Sequence, residues 1–374
     1  MELLLAIIVS AYCFLILCFT WAWLKYSRSS FNSEGELMLS VIVPVRNEVN
    51  NILNLLSDLN KQDYSKDQFE VIVVDDESND GTSSVVEDFI KTHDGVRLIK
   101  QQNDQTYPTP KKRALTTGVQ AALGEVIVTT DGDCRVPQQW LSAIAGEFKN
   151  DETDFVSGPV VYDQEGSLFE RLQSMEFASL IGVGASSIRL GYPNICNGAN
   201  LAFRRSQFDL NHGYNGNGHI ASGDDEFLLQ KFAKNGASHI RFLKDNKAII
   251  KTRPKVDLKE FYHQRKRWTS KLKHHKRWHI KALSIFIFSI NTLLITSLFS
   301  SILGFFDWGW FLVILGLKMT SEAFFLKGIF NFFNKSLRWL EFVLLSLIHP
   351  FYIVLFGIFT NFGTFNWKGR TYHE

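Results

Sequence analysis

Leu3 to Leu24 is a run of 22 residues without one charged side chain. At 1.5 Å per residue, a helix of that length crosses a hydrocarbon layer of roughly 30 Å. A cleaved signal peptide is the alternative. Against it, the start carries no positive charge, the apolar run is too long, and Trp21 and Trp23 stand where a small-residue cleavage site belongs. An uncleaved anchor is therefore expected. Lys25 and Arg28 follow it, which by the positive-inside rule places the next segment in the cytoplasm.

A second charge-free run, Ala282 to Phe306, follows the basic stretch Lys271-Leu-Lys-His-His-Lys-Arg-Trp-His-Ile-Lys281, again a cytoplasmic mark. Two weaker runs come after it. Trp308 to Leu326 holds Lys318 and Glu322, spaced to pair on one helix face. Trp339 to Thr360 holds Glu341 and a His349-Pro350 break. Charges there are costly, so they face a bundle interior if both runs span; otherwise one run is re-entrant or interfacial. With four spans the C-terminus lies outside, whereas Trp367-Lys-Gly-Arg370 suits a cytoplasmic interfacial tail.

The whole chain has 374 residues and a net charge of +2, which implies no polyanion-binding field and no nucleic-acid partner. Its four cysteines form no CxxC pair, so neither a disulfide framework nor a structural zinc site is expected.

Between the apolar ends, the pattern alternates strands and helices. Leu39–Val45, Glu70–Asp75, Val96–Lys100 and Glu125–Thr130 are short β-branched runs, hence buried strands. Asn50–Asn60, Asp80 to about His93, and Lys112–Leu123 have helical spacing. This is an α/β pattern, a mostly parallel sheet covered on both faces, in which ligands bind beyond the carboxyl ends of the strands. Those ends read Pro44-Val-Arg-Asn-Glu48, Asp75-Asp-Glu-Ser-Asn-Asp-Gly81 and Asp131-Gly-Asp133. No P-loop and no GxGxxG occurs, which argues against an ATPase and a dinucleotide dehydrogenase. Asp131 and Asp133 can share one Mg2+ or Mn2+ whose remaining ligands are diphosphate oxygens, and such a metal stabilises charge on a leaving diphosphate. Alone, Asp-x-Asp is usually a solvated turn; beside two other acidic strand ends it gains meaning.

Six motifs occur in order: Val41-Ile-Val-Pro-Val-Arg-Asn-Glu48, Val74-Asp-Asp-Glu-Ser78, Thr130-Asp-Gly-Asp133, Gly198-Ala-Asn200, Gly223-Asp-Asp-Glu226 and Gln264-Arg-Lys-Arg-Trp268. Over roughly residues 38–280 the chain resembles the membrane-embedded, inverting GT-A glycosyltransferases of family 2. The resemblance implies a GT-A (Rossmann-like) nucleotide-sugar domain with transmembrane helices at both ends. It implies an anchor over 1–25, a catalytic domain over 37–254, a basic amphipathic interfacial region over 255–281, two to three membrane segments within 282–361, and a short tail over 362–374.

Roles follow by position. Pro44, Glu48 and Asp76 would line the nucleoside pocket, with Asp75 or Asp76 reading a uracil edge. Lys112 would lie near the diphosphate. Asp131 would contact the ribose or sugar side, and Asp133 would ligate the metal with it. Asn200 and Asp224 would belong to the substrate site. Asp225 falls where the family has its catalytic base. The family usually has Glu-Asp there; here Asp224-Asp225 precedes Leu228, and the leucine spacing selects Asp225. A carboxylate at a helix start is also favoured simply by the dipole. Gln264, Arg267 and Trp268 would flank diphosphate and acceptor, while the basic helix around them suits anionic lipid. Residues 160–195, with Phe169, Met175, Phe177, Leu180 and Ile181 at helical spacing, would either line the acceptor cleft or form ordinary core.

The expected reaction is transfer of one sugar from a nucleotide-diphosphate sugar, with UDP the expected carrier, to a membrane lipid or lipid-linked glycan. A processive polysaccharide synthase, an inactive scaffold subunit and a nucleotidyltransferase are the alternatives.

Overall fold

The computed structural model describes residues 2–26, 37–101, 109–359 and 364–373; Arg28 and residues 362–363 of the tail lie outside them. The chain opens with α1 (Glu2–Leu24), β1 (Leu39–Val45), α2 (Ile52–Asn60), β2 (Phe69–Asp75), α3 (Thr82–Ile90) and β3 (Val96–Lys100). It continues with α4 (Pro110–Ala121), β4 (Val126–Thr129), α5 (Trp140–Phe148), β5 (Phe155–Ser157), β6 (Val160–Tyr162), α6 (Leu168–Arg189) and β7 (Leu201–Arg204). Then come α7 (Arg205–Leu210), α8 (Asp224–Asn235), β8 (Ile240–Phe242), β9 (Ile250–Thr252) and α9 (Leu258–Ser270). The last elements are α10 (Trp278–Ile302), α11 (Trp308–Phe332), α12 (Trp339–Phe359), β10 (Thr364–Trp367) and β11 (Arg370–His373).

These elements gather into two units. One comprises residues 26–164 and 187–254; the other comprises 1–25, 165–186 and 255–374. The part of the apolar stretch read at 160–195 that falls in 165–186 therefore clusters with the long apolar helices.

The first unit is α/β, as its alternation predicts. Its main sheet runs β3-β2-β1-β4-β7-β5-β8. β1, β2, β3 and β4 are parallel, and β7 runs antiparallel between β4 and β5. β1 and β2 are buried nearly end to end because helices cover both faces. Helix α4 lies so close to β1 that a Cβ on Gly118 would stand 2.5 Å from Ile42 Cγ2. The connection after α4 is tighter still: a Cβ on Gly124 would meet the Leu39 backbone at 2.7 Å. Successive strands step from β1 out to β3, and β4 then returns to the other side of β1. The crevice between the carboxyl ends of β1 and β4 is thus the topological switch point, where open α/β sheets bind ligands.

The second unit holds four helices long and apolar enough to cross a membrane: 5–24, 278–302, 308–332 and 339–358. α1 packs along α11, and α10 along α12. Small residues allow close approach: a Cβ on Gly182 of α6 would lie 2.1 Å from Ile329 Cδ1. The charges read as costly are all compensated. Lys318 and Glu322 pair at 2.6 Å, and the Tyr12 hydroxyl donates to the same Glu322 oxygen. Glu341 accepts from Arg171 at 2.6 Å. The break anticipated at His349-Pro350 does not occur, since α12 runs through Pro350. The tail folds as a hairpin that sits against α9. Its two-residue turn, Lys368-Gly369, has φ of 47° and 77°, the left-handed pair that suits the twist of a tight hairpin.

Lys318 is 1% exposed and its partner Glu322 half-buried, so removing the lysine strands a largely desolvated carboxylate. Lys318→Met should destabilise the chain by about 3–5 kcal/mol. Lys318→Met with Glu322→Gln should recover most of that loss, as read by thermal unfolding in detergent.

Candidate active site

The α/β unit brings its acidic strand ends to the switch point. Beyond β1, Arg46 Nη1 donates to the carbonyls of Asp76 (2.7 Å) and Glu77 (3.0 Å). Asn47 donates its N–H to Ser78 Oγ at 2.9 Å, and its Oδ1 accepts from the Asn79 N–H at 3.0 Å. These links hold Asn47 and Glu77 at φ of 53° and 58°, a left-handed backbone that side chains seldom adopt without such support. Pro44 is half-buried at the end of β1, and Glu48 is buried with Oε2 accepting from Asn51 Nδ2 at 2.7 Å.

The two acids ending β2 differ. Asp75 serves its own loop, accepting from the Ser78 N–H and hydroxyl through one oxygen and from the Ser83 hydroxyl through the other. Asp76 is held by Arg113 Nη2 at 2.9 Å, in a pair buried on both sides.

The Asp131-Gly-Asp133 turn follows β4 and lies on the end of β1. A Cβ on Gly132 would stand 2.9 Å from Val45 Cγ1 and 3.1 Å from Glu48 Cγ, so glycine is what lets the turn lie there. Asp131 is half-exposed and Asp133 exposed. Among the described residues, no three Asp, Glu, His or Cys side chains converge as a metal cage. Two hard carboxylates are what the turn offers, and a cationic group already lies against one of them. Lys111 Nζ stands 2.8 Å from Asp131 Oδ1 and 3.4 Å from Asp224 Oδ2. The adjacent Cys134 thiol is buried and is pushed well up, first by burial and then by Asp133 and Asp131, so it stays protonated.

Lys112, expected beside a diphosphate, is placed otherwise. It is 1% exposed, and its ammonium donates to the carbonyls of Asn217 (2.7 Å) and Ile220 (2.8 Å). Its neighbour Lys111 meets the acids instead. Helix α4 starts at Pro110, a residue suited to the first helical position. That start turns Lys112 inward and Lys111 towards the switch point. Asn200, expected at the substrate site, is likewise structural. Its Nδ2 donates to the carbonyls of Pro159 and Ala248, both at 2.8 Å, and its Oδ1 accepts from Trp140 Nε1 at 3.0 Å.

The acids opening α8 separate cleanly. Gly223 takes the left-handed cap position with φ of 75°, and three acids fill the first turn, where the helix dipole favours them. Asp224 is 8% exposed and faces Lys111. Asp225 is more open. Its Oδ2 accepts from the Gly198 N–H at 3.1 Å, and the Thr129 hydroxyl ties the Gly198 carbonyl to β4 at 2.8 Å. Buried Tyr214 nearby is raised well above the usual phenol range, by burial and then by Asp224 and Asp225. It therefore stays neutral.

Gln264, Arg267 and Trp268 belong to the other unit, on α9, whose N-cap Asp257 accepts from the Lys259 N–H at 2.8 Å. Trp268 stacks near Phe177 with ring centroids 6.0 Å apart. Arg267 is half-buried, and Gln264 Oε1 accepts from Arg265 Nη1 at 3.1 Å. Arg265 and Lys111 are the residues that reading motif positions missed; helix phase was the signal for both.

Residues 40–215 match the family described as glycosyl transferase family 2. The chain carries a glycosyltransferase family 2 domain. Glycosyltransferase AglE of Haloferax volcanii is 34% identical over 139 residues, covering 36% of this chain and 44% of that protein. A poly-beta-1,6-N-acetyl-D-glucosamine synthase of Staphylococcus epidermidis is 26% identical over 170 residues, 45% of this chain and 40% of that one. The chain thus spans under half the length of these curated relatives. A solved mannosyltransferase of Pyrobaculum calidifontis, in complex with GDP-Man and Mn2+, has 19% identity, a TM-score of 0.52 and coverage of 90% of this chain and 100% of its own. That likeness is one of fold, and with the seven-stranded sheet it makes the family 2 domain a GT-A fold.

Lys112→Met should lower stability by about 1–3 kcal/mol, because two buried carbonyls lose their donor. Thermal unfolding checks this, and a shift below about 0.5 kcal/mol would return Lys112 to the list of ligand-facing residues.

Proposed function

We propose that this chain transfers a single sugar from a nucleotide-diphosphate sugar, with inversion, to a membrane lipid or lipid-linked glycan on the cytoplasmic face. The reading is carried by the unequal state of the two acids opening α8. Asp224 is buried against Lys111, whereas Asp225 is open and oriented by the Gly198 N–H. A carboxylate held this way accepts the proton of an attacking hydroxyl. As the acceptor oxygen bonds to the anomeric carbon, the nucleoside diphosphate leaves from the opposite face. With one base and no enzymatic nucleophile, a single displacement inverts the centre.

The nucleoside would lie over Pro44 and Glu48, with Asp76 at the base edge. Asp131 and Asp133 suit Mg2+ or Mn2+: their oxygens are hard ligands, and the Lys111 ammonium 2.8 Å from Asp131 supports a site that accepts a cation. When bound, such an ion supplies charge stabilisation to the leaving diphosphate. Lys111 stands where it would neutralise the same group. Gln264, Arg267 and Trp268 serve the acceptor and diphosphate side through planar hydrogen bonding and stacking. The four apolar helices, with basic residues 271–281 before α10, support a multi-pass protein whose sugar-transferring unit is cytoplasmic.

A polymer-forming reading has one observation in its favour, the match to a polysaccharide synthase. Membranes incubated with a panel of radiolabelled UDP- and GDP-sugars decide between the two. A lipid-extractable product carrying one sugar supports transfer to lipid, and label retained as long polymer would replace it with synthase activity.

Asp225→Asn should reduce transfer by about 10²- to 10⁴-fold while nucleotide affinity by calorimetry stays near normal; brisk turnover would remove Asp225 from the role. Asp133→Asn should instead weaken Mn2+-dependent binding of UDP or GDP, and unchanged affinity would take the ion elsewhere.

A further inference from the structure

The unit that holds α9 contains a buried arginine inside the Gln264–Trp268 motif, between residues with proposed roles, that itself has none. Arg265 is 1% exposed. Its guanidinium donates from Nε (3.2 Å) and Nη2 (2.6 Å) to Oε2 of Glu176 on α6. The other oxygen of Glu176 accepts from the Tyr352 hydroxyl of α12 at 2.8 Å. Arg265 Nη1 donates to Gln264 Oε1 at 3.1 Å. The guanidinium carbon lies 4.3 Å from the centroid of the Trp268 ring and 4.7 Å from that of Phe261.

A guanidinium is planar and its donors are fixed relative to one another. Two of those donors are fixed on Glu176, itself held by a second hydrogen bond, and this sets the plane of the group. Once the plane is set, so are the direction from which Gln264 is held and the face that Trp268 lies against. Phe177, next to Glu176 on α6, meets the same tryptophan. One arginine thus connects α6, α12 and two side chains of α9.

We propose that Arg265 is a positioning residue that fixes the orientation of Gln264 and Trp268 for glycosyl transfer, using Glu176 and Tyr352 as its anchor. The proposal rests on the transfer reading of the Gln264–Trp268 stretch. Lysine is the diagnostic substitute, because it keeps the charge and loses the fork.

The test uses the full chain in nanodiscs, labelled with 5-fluorotryptophan. It has nine tryptophans, and the Trp268 resonance is the one lost in Trp268→Phe. Arg265→Lys should move the Trp268 resonance and leave the others in place. Transfer should fall about ten- to a hundredfold, in kcat, with donor KM and binding of UDP or GDP with Mn2+ changed less than about threefold. Glu176→Gln should act the same way more weakly. Should Arg265→Lys fail to fold, Tyr352→Phe removes one hydroxyl from the anchor and must itself move the Trp268 resonance. An unmoved Trp268 resonance, wild-type kcat, or a general shift of all the tryptophans would each overturn the proposal. If the wild-type chain transfers from no donor, it is the transfer reading that falls, while the fluorine spectrum still decides whether Arg265 orients Trp268.

Discussion

Carboxylates held at the edge of an apolar sheet need compensation, and most of the architecture around the switch point provides it. An ionised acid out of water without a partner costs several kcal/mol, so each is matched to a donor of suitable reach. Ser78 and Ser83 serve Asp75, Arg113 serves Asp76, and Asn51 serves Glu48. Lys111 spans two acids from different elements, Asp131 after β4 and Asp224 at the start of α8. Its ammonium links segments that are 93 residues apart in sequence and that the proposed reaction requires together. The unit of apolar helices solves the same problem with whole buried pairs, Lys318 with Glu322 and Arg265 with Glu176.

The sheet was legible because buried parallel strands leave a strong trace. Leu39–Val45 and Val96–Lys100 are found where the apolar runs begin and end. A β-branched run of five to seven residues between polar turns has few other uses. The acidic strand ends were legible for the same reason, since a strand that must be apolar throughout makes the first polar residue after it conspicuous. Side-chain direction within a helix was harder. Lys111 and Lys112 are chemically identical, and a shift of two residues in the start of α4 exchanges their environments. The sequence offers Pro110 as the marker of that start, but only if its preference for the first helical turn outweighs the periodicity counted from Lys112. Asn200 shows a different limit. The amide that completes a family motif is spent on three buried backbone and ring partners, which are contributed by residues 40 to 60 positions away in sequence.

α6 and the C-terminal hairpin were only partly legible in composition. Met175, Phe177 and Ile181 are apolar at helical spacing, which fits a cleft wall and a packed core equally well. Their neighbours Glu176 and Gly182 carry the distinguishing contacts, one an ion pair and one a close approach to α11. In the tail, Lys and Arg beside Trp suggested a cytoplasmic interfacial segment and left its backbone open. Lys368-Gly369 was the better signal, because a glycine at the second position of a two-residue connection relieves one of the two left-handed dihedrals a tight hairpin demands.

Gly198 gives the proposed base its geometry, and its reason for being glycine is local. A Cβ there would stand 3.3 Å from Asp224 Oδ2, a tight approach, and 3.5 Å from Asp225 Cβ, in van der Waals contact. Its N–H and that of Glu226 both donate to Asp225, and its carbonyl is tied to β4 through Thr129. The acid at the helix start is therefore referenced to the sheet through a single residue. The Asp131-Gly-Asp133 turn is referenced to the same strand directly. Both carboxylate positions on which the proposed displacement depends thus derive from the end of β4, and both rely on a glycine, Gly132 or Gly198, at the point of contact. Asp224, facing Lys111 at 3.4 Å, keeps that position because Gly198 beside it carries no side chain.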